Sequence, residues 1–164
     1  MSIYIEAPNE LQILEGEHVI FLAGGITNCE DWQSRAVEEL RKLPNIIICN
    51  PRRKNFREFK NSSGYSESKR QIEWEFHYLN KATQILFWFS KETVQPITLF
   101  EIGTRIRGDI PLFIGIHPEY PRIFDLKIQL PLFGYDKESI VYDLDTLLRM
   151  VVNYNKYLPH ADSD

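Results

Sequence analysis

Two glutamates lie in apolar surroundings, where a carboxylate is suited to acid–base or nucleophilic chemistry. Glu75 belongs to a segment that predicts a helix from about Ser68 to Ala82. On a helical wheel it falls inside the apolar stripe, whose members are Ile72, Phe76, Leu79, Ala82 and Thr83. A carboxylate on a core-facing side is costly unless it is paired, hydrogen-bonded or open to a cleft, so Glu75 is a candidate functional acid. The alternative is a helix-edge glutamate that reaches solvent.

Glu101 is the single charged residue in the run of residues 97–103. The run follows a predicted strand and opens a short helix with Pro96 in its first turn, where a missing N–H costs nothing. This position predicts that Glu101 lies near the C-terminal edge of the sheet, where open α/β sheets bind ligands. The alternative is a glutamate stabilised by the helix dipole alone. Two carboxylates in one crevice favour catalysis.

The elements that must position these glutamates follow from four apolar runs rich in β-branched and aromatic residues. They are residues 19–23, 46–49, 85–89 and 112–116. Helix-like stretches separate the runs, and this alternation predicts an α/β fold with a parallel sheet flanked by helices.

The helix boundaries are predicted from local signals. Residues 27–30 form a capping-box sequence that predicts a helix from there to about Lys42. The polar segment 54–66 predicts a mobile loop, and residues 139–157 predict a terminal helix. The proline-rich stretch 117–131 has no assignment.

Two further segments offer groups that bind ligands. Gly24 and Gly25 follow the first apolar run, where glycines let backbone amides approach a ligand at a helix N-terminus. The alternative is an ordinary turn, since the third glycine of a dinucleotide fingerprint and the lysine of a P-loop are missing. Asn50, Arg52 and Arg53 follow the second run, where guanidinium groups could bind a phosphate, a carboxylate or a neighbouring subunit. The alternative is a solvated basic loop.

Composition limits the classes of protein. A chain of 164 residues with a net charge of -4 predicts a single domain over residues 1–164 and disfavours a nucleic-acid partner. Its apolar stretches fall far short of the roughly 20 residues that span a bilayer, so we expect no membrane partner. Cys29 and Cys49 lack metal-type spacing, and with no signal-peptide pattern a cytoplasmic location is expected, without a metal.

Four segments resemble, in family order, the nucleoside 2-deoxyribosyltransferase superfamily, and specifically its compact 2-deoxyribosyltransferase-like branch. They are residues 20–26, 50–53, 71–75, and 85–89 leading to 99–103, and residues 115–122 look like a further family segment. The resemblance implies a flavodoxin-like or Rossmann-like sheet. It also implies a double displacement in which a glutamate attacks the anomeric carbon and releases the base.

The resemblance assigns roles to individual residues. Glu101 matches the nucleophile, and alignment on residues 80–83 places Glu75 where the family has an acidic residue that contacts the base and handles its proton. Where better-known members have an aspartate shortly before the nucleophile, this sequence has Gln95 and Pro96. The substrate-binding residues expected from the matching segments are Gly24, Gly25, Ile26, Asn50, Arg52, Arg53, Trp74 and Phe89.

The expected function is transfer of 2-deoxyribose between nucleobases through a covalent glutamate intermediate, with no cofactor and with a nucleoside and a free nucleobase as partners. One alternative is an N-glycosidase acting on a deoxynucleoside, or on a nucleoside 5'-monophosphate held by Arg52 or Arg53. Another is a non-catalytic nucleotide-binding protein. The apolar segment 147–158, with Tyr154 and Tyr157, predicts a homo-oligomer that uses the C-terminal helix.

Overall fold

A five-stranded parallel sheet forms the centre of the computed structural model, which describes residues 1–53 and 62–158. The strands are β1 (Ile3–Glu6), β2 (His18–Gly24), β3 (Ile46–Asn50), β4 (Gln84–Phe89) and β5 (Leu112–Ile116). Their order is β1-β3-β2-β4-β5, and every neighbouring pair is parallel. Apart from β1, this is the strand order of a flavodoxin-like sheet, so the predicted fold class is confirmed.

Helices cover both faces of the sheet. They are α1 (Trp32–Leu40), α2 (Ser62–Lys81), α3 (Pro96–Arg105), α4 (Ile123–Leu132) and α5 (Leu144–Lys156). Strand side chains alternate between the two faces, so that Phe21 and Phe87 pack beneath α2, α3 and α4, while Leu22 and Leu86 pack beneath α1 and α5. The four predicted apolar runs are β2, β3, β4 and β5, and all are buried because helices lie on both sides.

The first helix begins later than its capping-box sequence predicts. Asp31 caps α1 by accepting a hydrogen bond from the Ser34 N–H at 3.1 Å, and the helix starts at Trp32. Asn28 has a φ of 57°, a left-handed conformation outside any helix. The predicted start at residues 27–30 is therefore wrong, and these residues form the loop that follows β2.

Other boundaries also differ from those predicted. Helix α2 begins at Ser62, before the expected Ser68, and residues 54–61 of the predicted loop lie outside the described residues. Helix α5 begins at Leu144, not at residue 139, because Asp143 caps it through the Thr146 N–H at 2.7 Å. Neither β1 nor α4 was predicted.

Candidate active site

A cavity of about 500 Å³ lies at the C-terminal ends of β2 and β4. Its walls are the turn after β2, the inner side of α2 and the first turns of α3. The chain leaves β2 for β3 on one side and returns to β4 on the other, and this switch point is where flavodoxin-like sheets bind ligands. The volume suits a small organic molecule.

The cavity brings together all of the predicted catalytic and glycine-turn residues. Gly24 lines it from the end of β2, Gly25 and Ile26 from the turn that follows, Glu75 from α2 and Glu101 from α3. Both glutamates are partly buried. The two carboxylates therefore open into one crevice, as their positions in the sequence predict.

The face of α2 that carries Glu75 differs from the predicted stripe. Ile72 and Phe76 are 63% and 70% exposed, whereas Trp74 and Tyr78 are buried against the sheet. Glu75 lies beside this buried face and borders the cavity. The predicted stripe is therefore wrong for Ile72 and Phe76, although the expectation that Glu75 opens to a cleft is met.

Burial and mutual repulsion disfavour charge on both carboxylates. The pKa of Glu101 is raised to about 8, chiefly by burial and also by the charge of Glu75, while the charge of Arg105 acts to lower it. Burial also raises the pKa of Glu75, against a hydrogen bond from Gln71 and the charge of Arg53. The two carboxylates are electrostatically coupled and titrate as a pair that can hold one proton between them, an arrangement suited to a nucleophile and an acid.

The glycine turn is needed for packing. A Cβ at Gly24 would lie 2.5 Å from the Trp32 ring, and one at Gly25 would collide with the Cys29 sulfur. The Gly25 N–H donates to the Gln95 side-chain oxygen at 2.9 Å. This amide is engaged within the protein, contrary to the expectation that it meets a ligand.

Gln95 lies directly before α3 and lines the cavity. It has a left-handed φ of 54°, and its buried side chain donates to the Ser90 carbonyl at 2.9 Å. This fixes the start of α3, whose first-turn N–H groups have no partner within the helix. Thr98, in that turn, lines the cavity and is 4% exposed, and its hydroxyl has no hydrogen-bond partner in the described part of the chain.

Arg52 and Asn50 lie outside the cavity walls. The Arg52 guanidinium donates to the carbonyls of Ile26, Cys29 and Glu30 at 3.1, 3.0 and 2.9 Å. The Asn50 side chain accepts from the Arg52 N–H at 2.9 Å. Arg52 therefore holds the loop between β2 and α1, and it is not among the residues that line the cavity.

Trp74 and Phe89, expected at the substrate, belong to the core. The Trp74 indole N–H donates to the Asn9 carbonyl at 2.6 Å, and neither residue is among those that line the cavity. Phe89 is fully buried in β4 and packs against Phe87 and Tyr120. A strand covered on both faces cannot present this ring to a ligand.

The matching family model covers most of this architecture. Residues 17–120 match the model described as "Nucleoside 2-deoxyribosyltransferase like". The chain belongs to this family. The matched part runs from just before β2 to beyond β5 and includes both glutamates. Membership supports a glycosyl-transfer type of enzyme with nucleosides and nucleobases as its class of substrate.

A solved structure confirms the fold independently of function. A crystal structure described as a conserved protein from Enterococcus faecalis V583 is similar with a TM-score of 0.58 and 16% sequence identity. The similarity covers 85% of this chain and 99% of that chain. No curated protein matches this sequence.

Two residues of the site were missed in the sequence, Gln71 and Thr98. Both are buried polar residues of the cavity wall. Gln71 precedes Glu75 by one helical turn, a spacing that places the two side chains side by side and could have indicated the contact.

Within residues 1–53 and 62–158, no group of His, Cys, Asp and Glu side chains is arranged to hold a metal ion. None of the helices in these ranges is long and apolar enough to cross a membrane.

Proposed function

We propose that this family member transfers 2-deoxyribose between nucleobases, with Glu101 as the nucleophile and Glu75 as the acid and base. The observation that carries the proposal is the pair of electrostatically coupled carboxylates in one cavity at the switch point of the sheet. Such a pair can hold one charged and one protonated member, as a double displacement requires.

In the first half-reaction, a Glu101 oxygen forms a bond to the anomeric carbon as the bond from that carbon to the base nitrogen breaks. The electron pair of the broken bond stays with the base, which takes the proton from Glu75. In the second half-reaction, a new base attacks the anomeric carbon, Glu101 departs as a carboxylate, and Glu75 takes the proton of the incoming base.

Nearby positive charge offsets part of the penalty that burial places on an ionised Glu101. Arg105 lies one turn after Glu101 in α3, and its charge lowers the pKa of Glu101. The N-terminus of α3 carries partial positive charge and borders the cavity. The Thr98 hydroxyl is a donor or acceptor for a sugar hydroxyl.

An unphosphorylated nucleoside is the favoured substrate. Arg52 is engaged with backbone carbonyls, and Arg53 donates to Gln71 and Glu67, so the cavity wall holds neither guanidinium. The N-terminus of α3 suits an oxygen of the sugar. Hydrolysis is the second candidate, since the cavity opens to solvent in the single chain and water can replace the second base.

We also propose a homo-oligomer, formed through a face other than the one predicted. Leu147, Leu148 and Val151 of α5 are buried on the sheet. Large exposed apolar side chains instead flank the cavity, namely Ile72 and Phe76 of α2 and Ile97 and Phe100 of α3. We call these four residues the apolar rim. A second copy that covers the rim would bury it and shield the cavity from water.

A cytoplasmic location completes the proposal. Cys29 and Cys49 are free, and burial raises the pKa of the Cys49 thiol to about 12. Unpaired thiols suit a reducing compartment.

The test is incubation with a deoxynucleoside and a different free base, with the products separated by chromatography. A new deoxynucleoside indicates transfer, and free deoxyribose indicates hydrolysis. Glu101→Gln is the matched control. If the wild-type protein leaves purine and pyrimidine deoxynucleosides intact, the catalytic proposal fails and a nucleotide-binding role takes its place.

A further inference from the structure

The Gln71 side chain bridges a cation and the carboxylate of Glu75. Its oxygen accepts from the Arg53 Nε–H at 2.6 Å, and its nitrogen donates to the Pro51 carbonyl at 2.8 Å and to Glu75 Oε1 at 2.6 Å. Gln71 is 7% exposed, so these contacts are shielded from water. Because both amide atoms of this buried side chain are hydrogen-bonded, its orientation is fixed.

The neighbours of Gln71 determine which way its amide points. The guanidinium of Arg53 can only donate, and the Pro51 carbonyl can only accept. A flipped amide would place its nitrogen against the guanidinium and its oxygen against both the carbonyl and the carboxylate. The Arg53 guanidinium is itself paired with Glu67 at 3.2 Å. Gln71 therefore presents a donor to Glu75 in every ionisation state of the site.

This donor makes the two oxygens of Glu75 unequal. Oε1 accepts from Gln71, whereas Oε2 has no hydrogen-bond partner among the described residues. A proton on Oε1 would compete with the amide N–H for the same oxygen, so protonated Glu75 carries its proton on Oε2. The charged groups that act on the pair are Arg53 on the α2 side and Arg105 on α3.

We propose that Gln71, held by Arg53, is a positioning residue that reserves Oε2 of Glu75 for proton transfer to and from the base. The inference rests on the proposed function and assigns the oxygen that performs its proton steps. In the first half-reaction the proton leaves Oε2 for the base nitrogen, and the electron pair of the O–H bond remains on the carboxylate. In the second, Oε2 takes the proton of the incoming base.

The first test uses Gln71→Met, which has a similar length and no amide. Because Glu75 loses its fixed orientation, kcat should fall at least about tenfold for bases that need protonation to leave. The loss should stay below about threefold for activated bases that leave without a proton. An equal loss for both kinds of base would indicate a merely structural role and overturn the proposal.

The second test reads the carboxyl of Glu75 without any turnover. In protein with 13C-labelled glutamate carboxyl groups, NMR follows the titration of Glu75, assigned by its absence in Glu75→Gln. Removal of a donor to the ionised form should raise the titration midpoint in Gln71→Met by about one pH unit. An unchanged midpoint would overturn the proposal. If the midpoint rises but the wild-type protein shows no turnover, the contact between Gln71 and Glu75 is upheld and the proposed function fails.

Arg53 provides the matched controls. Arg53→Lys keeps a cation that can donate to the Gln71 oxygen, whereas Arg53→Met leaves the amide free to flip. We expect Arg53→Met to reproduce the base-dependent loss of Gln71→Met and Arg53→Lys to recover at least half of it on a logarithmic scale. Identical behaviour of the two variants would contradict the proposed hydrogen-bond chain from Arg53 through Gln71 to Glu75. If Gln71→Met does not fold, this comparison of the two Arg53 variants tests the proposal in its place.

Discussion

Burial and, after it, the negative charge of Glu75 raise the pKa of Glu101 to about 8. The two carboxylates come from different helices, α2 and α3, and interact across the cavity. A single proton on the pair relieves the repulsion. The raised pKa places that proton on Glu101, and the reactive form in the proposed mechanism is reached when the proton passes to Glu75 and leaves Glu101 ionised.

The rate should therefore depend on pH in a way that differs between bases. For bases that need protonation, kcat/KM should fall as pH rises through about 8, because the last proton leaves the pair. For activated bases it should not fall there, since the fully ionised pair retains its nucleophile. Initial rates from pH 5 to pH 10 provide the measurement, and Glu75→Gln, which cannot donate as an acid, should abolish the difference. A common alkaline limb for both kinds of base would contradict the assignment.

Glu101→Gln should lower turnover at least about 1000-fold, because an amide cannot form the covalent intermediate. The side chains have nearly the same shape, so binding of the nucleoside should change little. Rapid quenching followed by mass spectrometry of the intact protein should detect a deoxyribosyl adduct in the wild type and none in the variant. A variant that keeps more than a few per cent of the wild-type rate would remove Glu101 from the role of nucleophile.

The same substitution should stabilise the fold, with a gain that depends on pH. The pKa of Glu101 is about 8 in the folded protein and about 4.5 in the unfolded chain, so between these values only the folded state keeps the proton. The wild type therefore loses stability as pH rises from about 4.5 to about 8, whereas the amide of the variant does not titrate. The advantage of Glu101→Gln in free energy of unfolding should grow across this window and stay constant above it. Denaturant unfolding at pH 4.5, 6.5 and 8.5 tests this, and a constant difference would be inconsistent with the raised pKa.

Arg52→Met should destabilise the protein by about 2–3 kcal/mol, because several charge-assisted hydrogen bonds to the loop between β2 and α1 are lost. The effect on catalysis should be similar for a nucleoside and for its monophosphate. Thermal unfolding and KM values for both substrates provide the measurements. A selective rise in KM for the monophosphate would restore Arg52 as a phosphate-binding residue.

The sheet could be predicted because its strands are continuous apolar runs buried on both faces, and this signal needs no tertiary information. The start of α1 could not be predicted, because Thr27 and Asp31 both have side chains suited to a helix cap. The hydrogen bonds from Arg52, which is distant in sequence, hold the loop that ends at Asp31. Similarly, the predicted stripe on α2 omits Trp74 and Tyr78, since overlapping stripes on one helix are distinguished only by what packs against them.

The glutamates could be located from sequence because a charge is unusual in an apolar setting, but their environment could not. The engagement of the Gly25 N–H by Gln95 depends on a contact between residues 70 positions apart. Gln71 donates a hydrogen bond to Glu75, and the Gln71 amide is itself held by Arg53 and the Pro51 carbonyl, which lie in the loop after β3. The single-domain organisation over residues 1–164 and the roles of the individual site residues stay predictions.

The apolar rim predicts the assembly. Ile72 and Ile97 line the cavity from opposite walls, and Phe76 and Phe100 continue the rim one helical turn further along α2 and α3. A lysine at Phe100 should disrupt a self-association that buries this surface, because a buried, unpaired charge is costly. Tyr157→Lys is the matched control, since Tyr157 is 87% exposed at the end of α5 and does not line the cavity. Light scattering at micromolar concentration should show an oligomer for the wild type and for Tyr157→Lys, and a smaller species for Phe100→Lys.

If the rim also shields the cavity, Phe100→Lys should increase the ratio of hydrolysis to transfer as water gains access. A wild-type protein with the mass of one chain would contradict the oligomer, and dissociation by Tyr157→Lys instead of Phe100→Lys would return the interface to the C-terminal helix.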